Sequence, residues 1–418
     1  SKKEFLMSRL EQCPSSAFAR IAVLLFLLVT AMAARAQSLR VLHTFTGKPD
    51  GSLPYAGLVR DGAGNLYGTT YTGGVNGCGM VFELAHSGSG WIERPLYSFG
   101  CKNDGDFPYA PVVIGPDGSL YGTTEYGGDN EDGIVFKLSP PPNFCRSFTC
   151  PWTETILYRF TGGSDGGEPV SPLIFDNAGN LYGTAQVGGS AKQGVVFKLT
   201  HTGSNWSESV LYSFAGPPDG GGPTGGLVFD AAGNLYGTTY YGGNTGLGTA
   251  FQLSPSGSGW TETILQNFGN NNGNFPYAGM IIDNSGNLYG TTEFGPVGDG
   301  TVFELTPSGG QWIFTTIYNL TSGFAGVAGP VGPLLRDASG NLYGTTVNGG
   351  IICEYGCGTV FELSPSSGGW TYNLLYEFMG GSDGSGPDDG LVRDPQGNLY
   401  GTASGVFGGN STVFELTP

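Results

Sequence analysis

Beyond residue 37 the apolar residues fall into short runs of strand length, separated by turns rich in glycine, aspartate and asparagine. The stretch from Gly222 to Phe268 illustrates the unit. Gly226-Leu227-Val228-Phe229 is a short apolar run of the kind that forms a fully buried strand, and Asp230-Ala231-Ala232-Gly233 after it reads as a tight turn. Asn234 to Thr239 then alternates between faces, and Thr249-Ala250-Phe251-Gln252-Leu253 alternates apolar with polar. A fourth strand runs from Trp260 to Phe268. These are strands A to D of one four-stranded unit.

The unit recurs. Gly-Asn-Leu-Tyr-Gly-Thr-Thr and its near variants occur seven times, with the tyrosine at Tyr67, Tyr121, Tyr182, Tyr236, Tyr289, Tyr343 and Tyr400. The spacing of 53 to 61 residues suits a four-stranded blade, since propeller repeats run to roughly 40 to 50 residues. The predicted architecture is all-β, a seven-bladed β-propeller of four-stranded blades. The seventh copy stops after strand C, whereas Arg40-Val41-Leu42-His43-Thr44-Phe45 matches the end of a strand D. Residues 38–46 are therefore expected to complete the last blade and close the ring, removing exposed sheet edges. An aspartate opens the A-to-B turn in six copies and Gly115 replaces it in the second, a pattern that fits turn hydrogen bonding better than catalysis. The glycine after each tyrosine is expected to admit a neighbouring backbone or ring, and six tryptophans that begin strands D are expected to pack between blades.

Composition adds the cellular setting. Lys2, Lys3, Arg9 and Arg20 precede an apolar run from Ile21 to Ala33 and then Ala34-Arg35-Ala36, which reads as a secretory signal over residues 1–36, with a retained N-terminal anchor as the alternative. The propeller then spans 37–418 with no further membrane span. The whole chain carries a net charge of −17, and without the signal 12 basic residues face 32 acidic ones, a net charge of −20. Nucleic acid is excluded as a partner by this balance, and a monomer is expected. Six cysteines lie beyond the signal, an even number that in an oxidising compartment suggests the pairs Cys78 with Cys101, Cys145 with Cys150 and Cys353 with Cys357. A zinc site is the alternative, but no ligand spacing supports it.

Asp-x-x-Gly-Asn-Leu-Tyr-Gly-Thr-Thr, a following Gly-Gly and Val-Phe-Glu-Leu recur in this order, and over residues 38–418 they resemble the GloVer tandem repeat of exported bacterial proteins. That resemblance implies export and surface display but no defined activity. Family members often carry a C-terminal sorting anchor; none precedes Pro418, so free secretion or the periplasm is expected alongside the cell surface. The strand order is also similar to NHL-type repeats, whose propellers mostly bind other molecules and occasionally act as lyases or lactonases.

Positions that differ between copies of a repeat are free to serve a ligand. The residue leading into strand A is Tyr55, Tyr109, Val170, Thr224, Tyr277, Val331 or Asp388, expected at the mouth of the central channel. After strand B come Tyr71, Glu125 with Tyr126, Tyr240 with Tyr241, and Glu293 with Phe294. Aromatic rings beside carboxylates suit sugar faces and hydroxyls, so Tyr55, Tyr109, Glu125, Tyr126, Tyr241, Tyr277 and Glu293 are the candidate ligand-binding residues, loop packing being the alternative. Asp104, Asp106, Asp129 and Asp132, with Glu131, are candidate calcium ligands, although their spacing is not that of a known calcium loop. Arg60, Arg336 and Arg393 end strand A in three adjoining blades and either hold an anion or pair with the turn aspartates Asp61, Asp337 and Asp394. No catalytic motif is evident. The sequence favours a non-enzymatic propeller that binds a glycan or a surface protein, with a propeller lyase, lactonase or glycoside hydrolase as the alternative and a structural envelope component as a third reading.

Overall fold

A computed structural model of the chain describes residues 37–417, apart from 89, 143–150, 204, 297–298, 322–328 and 354–355. Among the described residues there is no helix, and seven antiparallel four-stranded sheets form a seven-bladed β-propeller. No helix is long and apolar enough to cross a membrane among them. The signal segment and the Cys145–Cys150 pair lie outside the described residues. The other two disulfides, Cys78–Cys101 and Cys353–Cys357, are formed.

Blade one comprises strands A (Val59–Arg60), B (Leu66–Thr70), C (Met80–Ser87) and D (Gly90–Ser98). Strand A is shorter than its apolar run suggests. Its leading residues instead line the channel, where a Cβ at Gly225 would lie 2.6 Å from the backbone nitrogen of Gly279 in the next blade. Adjacent blades thus pack backbone against backbone at the axis, which favours small residues such as Ala56, Ala110, Gly225 and Ala278.

The last blade joins Val392–Arg393, Leu399–Ala403 and Ser411–Thr417 to the N-terminal strand Ser38–Phe45. That strand pairs from Ser38 with Thr417 to Phe45 with Ser411, and its register shifts between Val41 and His43. The same bulge lies in the C-to-D pairing of all six other blades, for example between Val81 and Phe82. Ser38–Phe45 is thus strand D in detail as well as position. Ring closure also uses side chains: Thr69, Thr184, Thr238 and Thr345 donate hydrogen bonds to carbonyls of the next blade, and Thr402 does so to Ala56 at 2.8 Å, from blade seven to blade one.

Six of the seven blade interfaces carry a phenylalanine pair built by the repeat, with Leu320 in place of one ring between blades five and six. The strand C phenylalanine sits over the glycine of Tyr-Gly-Thr, so a Cβ at Gly68 would lie 2.6 Å from the Phe82 ring. The strand D phenylalanine of the preceding blade meets that ring edge to face, as Phe45 meets Phe82 and Phe214 meets Phe251, both at 5.1 Å. Tryptophans cross the same boundary, Trp152 against Tyr67 and Trp370 against Tyr289. The tyrosine hydroxyls and turn amides converge on the turn aspartates: Asp176 accepts from the Asn180 amide and side chain and from Tyr182. Burial would raise this carboxyl, but those hydrogen bonds outweigh it and hold it below its ordinary value. In blade two, where Gly115 stands in place of the aspartate, Asp117 accepts from the Ser119 amide and Tyr121 instead. The ring of aspartates is structural.

Candidate functional site

The seven residues leading into strand A all line one cavity of about 150 Å³ at the channel mouth. A proline precedes each of them, and the residue before that proline has positive φ at Leu53, Phe107, Glu168 and Phe275 as well as at Gly222 and Gly386. A bulky residue rarely adopts this conformation, least of all before proline. Here it lifts Phe107 and Phe275 onto the loop face.

Phe107 stacks on Tyr71 at 4.8 Å and meets Tyr126 edge-on, while Tyr55 stacks on Tyr109 at 5.5 Å. Blades four and five repeat the arrangement with Phe275 against Tyr240, Tyr241 and Phe294. Carboxylates fix both groups: Tyr71 donates to Glu125 at 2.9 Å and Tyr240 to Glu293 at 2.8 Å. Burial raises both glutamates, with the tyrosine hydrogen bonds opposing it. Across the axis the Tyr277 hydroxyl donates to Tyr109 at 2.9 Å, joining the two aromatic ridges through residues 168 apart in sequence. Tyr277 is pushed up to about 12, chiefly by burial.

Two adjacent carboxylates complete the mouth. Asp389 accepts from the Gly57 and Gly390 amides, both at 2.6 Å, and so ties blade seven to blade one. Asp388 Oδ2 is sealed from solvent and has no hydrogen-bond partner. Burial raises Asp388 to about 7, helped by the charge of Asp389, and raises Asp389 to about 6 despite its two amide donors. The cavity lining contains these two acids and neither lysine nor arginine.

Of the sequence candidates, Tyr55, Tyr109 and Tyr277 converge on this cavity, while Glu125, Tyr126, Tyr241 and Glu293 flank it on the two ridges. The four aspartates proposed for calcium do not form a tight ligand group among the described residues. Asp104 caps its own loop, accepting from Tyr97 and the Gly100 amide, and Asp129 pairs with Arg159. Asp106 lies beside Cys78 and Cys101, whose sulfurs are already joined. At the opposite end of strand A, Arg336 reaches Asp283, the turn aspartate of the preceding blade rather than its sequence neighbour Asp337. Sequence reasoning did not single out Asp389, Phe107 or Phe275. The invariant proline after the two phenylalanines was the available signal.

The fold is shared with solved propellers of low sequence identity. A polysaccharide lyase, an ulvan lyase solved with a glucuronate–sulfated rhamnose ligand, superposes with a TM-score of 0.55 at 10% identity, covering 91% of this chain and 95% of its own. A periplasmic gluconolactonase of Pseudomonas aeruginosa does so with a TM-score of 0.51 at 15% identity, covering 91% and 99%. No curated protein sequence matches. A family model, the Gloeobacter/Verrucomicrobia repeat, matches residues 28–153, 147–327 and 261–418, so the chain belongs to the Gloeobacter/Verrucomicrobia repeat family.

Proposed function

We propose that this propeller acts outside the cytoplasm and binds an uncharged saccharide at its channel mouth. The observation that carries the reading is the convergence of Tyr55, Tyr109 and Tyr277 with Asp388 and Asp389 on a cavity of about 150 Å³ with no cation in its lining. A cavity of this size admits one six-membered ring. Aromatic faces stack on the apolar side of a sugar ring, and carboxylates accept its hydroxyl protons. The acidic lining and a chain charge of −17 disfavour polyanions, so a glucuronate and sulfate polymer of the kind held by the ulvan lyase is not the expected ligand. Two disulfides support the location, because such bonds persist in oxidising compartments.

The test is calorimetric titration with neutral gluco- and manno-oligosaccharides against uronate oligosaccharides of equal length. Neutral sugars are expected to bind, and Tyr55→Ala or Tyr109→Ala to weaken binding by about 1–3 kcal/mol each with the fold intact. A preference for uronates, or binding indifferent to both substitutions, sinks the proposal.

One observation favours a hydrolytic second reading: Asp388, adjacent to Asp389, is held near neutrality and faces the cavity. Such a group accepts a proton from water as the water oxygen attacks a lactone carbonyl, and the ring C–O bond then breaks to give the hydroxy acid. The discriminating assay is hydrolysis of glucono-δ-lactone by the protein and by Asp388→Asn. Rates at the uncatalysed level for both leave binding as the sole activity.

A further inference from the structure

The seven blade junctions are built from the same parts, so a junction whose parts differ is informative. Near the end of strand D each blade places Tyr97, Tyr158, Tyr212, Gln266, Tyr318 or Tyr376, and blade seven places His43. Four of those tyrosines donate their hydroxyl to the loop aspartate seven residues later: Tyr97 to Asp104, Tyr158 to Asp165, Tyr212 to Asp219 and Tyr376 to Asp383, at 2.9 to 3.1 Å. At four junctions a glutamate from strand D of the next blade faces this aspartate: Glu93, Glu154, Glu208 and Glu262. Each of these glutamates has one oxygen, Oε1, sealed from solvent without a hydrogen-bond partner.

Among the described residues, only the junction that closes the ring combines such a pair of acids with an imidazole. His43 Nε2 lies 3.1 Å from Asp50 Oδ1, and ligand atoms of His43, Asp50 and Glu93 all lie within 4.8 Å of one another. The other Asp50 oxygen accepts from the Thr46 amide at 2.9 Å and hydroxyl at 3.1 Å, which orients the carboxylate. The side chains of His43 and Asp50 are 22% and 17% exposed, leaving a path for an ion. A phenol at this position offers a proton to the aspartate, whereas a neutral imidazole offers a lone pair.

We propose that His43, Asp50 and Glu93 form a divalent transition-metal site, best suited to zinc, that fastens the N-terminal strand to blade one. One imidazole and two carboxylates match zinc's preference for mixed nitrogen and oxygen donors, whereas calcium requires six or more oxygens. Zinc bonds of roughly 2.0–2.1 Å place neighbouring ligands about 3.3 Å apart, so His43 and Asp50 already stand near bonding separation and Glu93 moves by about 1.5 Å at most. The ion neutralises two carboxylates that otherwise repel across the junction. Because His43 and Asp50 belong to the N-terminal segment that completes blade seven, and Glu93 to strand D of blade one, the bound ion pins the closing strand across the junction of those two blades.

The test compares chelator-stripped protein with and without zinc, measuring bound metal by atomic emission and stability by thermal unfolding. One zinc per chain is expected, with a midpoint rise of about 3 °C at a hundredfold excess over Kd. His43→Tyr installs the residue of most other blades, so it is expected to fold, bind no zinc and show no zinc-dependent rise. Glu93→Gln provides a second variant with the same expected loss should the first fail to fold. Zinc-free wild-type protein after dialysis, zinc retained by a folded variant, or an equal rise with calcium in wild type and variants overturns the proposal.

Discussion

Removing the Phe45 side chain probes whether the N-terminal strand holds the ring closed in solution. Phe45 is 6% exposed and packs with Leu58, Leu66, Met80, Phe82 and Val413, so it draws residues of blades one and seven into one cluster. Its edge-to-face contact with Phe82 at 5.1 Å has the geometry of Phe99 with Phe136 and Phe160 with Phe197 in the blades that follow. Truncating a phenylalanine buried in this way costs about 3–5 kcal/mol, of which about 0.5–1.5 belongs to the ring pair itself. With about 2 cal/mol/K of unfolding entropy per residue over the ~380 residues of the propeller, Phe45→Ala is expected to lower the midpoint by roughly 4–6 °C. The molecule supplies its own control, since Leu320 takes the same place in blade five and is 2% exposed there. Phe45→Leu should therefore cost only about 1 kcal/mol. Denaturant unfolding of the two variants beside Phe99→Ala checks the argument. A Phe45→Ala cost below about 1 kcal/mol, with the full cost at Phe99, would mean that the strand is not docked in solution.

Two further substitutions test the mouth and the interfaces. Asp388 is raised from its ordinary value to about 7, so the folded state binds its proton more tightly than the unfolded chain does; the resulting stability is full below about pH 4 and lost as pH climbs to 7. Asp388→Asn should be stabilised over the wild type by roughly 1–2 kcal/mol at pH 8 and show no gain at pH 4, and equal differences at both pH values in thermal unfolding would refute this. Gly237→Ala puts a Cβ 2.6 Å from the Phe251 ring and should cost about 1–3 kcal/mol, with a neutral result indicating that the ring moves aside.

The fold was legible because a single unit is written seven times, so that local ambiguities average out. Turn glycines, the Tyr-Gly-Thr strand and the strand D ending at Phe45 each appear in a fixed order, and order alone identifies the missing strand. The mouth was legible for the converse reason, since Tyr55, Tyr109 and Tyr277 break a pattern that packing keeps. Phe107 and Phe275 escaped notice because their role depends on a backbone conformation that residue type argues against. Asp389 escaped because its neighbours, Gly57 and Gly390, include one more than 300 residues away. The calcium reading of Asp104 fails to gather its ligands for a reason the sequence did hold: Asp50, Asp165, Asp219 and Asp383 stand at the same place in other repeats and cap the same loop.

The arc of arginines on the opposite face shows how far repetition accounts for charge. Strand C carries Glu304, Glu362 and Glu415 in blades five, six and seven, and the following blades six, seven and one carry Arg336, Arg393 and Arg60. Where strand C instead holds Lys137, Lys198 or Gln252, the following blade has Phe175, Phe229 or Ile282. Arg336 and Arg393 lie over Tyr289 and Tyr343 of the preceding blade, and Phe175 and Phe229 meet Tyr121 and Tyr182 in the same place. Blade one is the exception that fits, because Glu83 is followed by Ile114 and takes Arg94 from its own strand D at 3.4 Å. Each glutamate-bearing strand C is accompanied by an arginine, from the following blade or from the strand D beside it, so charge balance within and between blades accounts for the arginines. No comparable blade-to-blade rule accounts for the channel mouth, where three tyrosines, two valines, a threonine and an aspartate occupy one structural position around a shared cavity. Variation that packing and charge do not require is the physical ground for the proposal that a ligand is bound on that face.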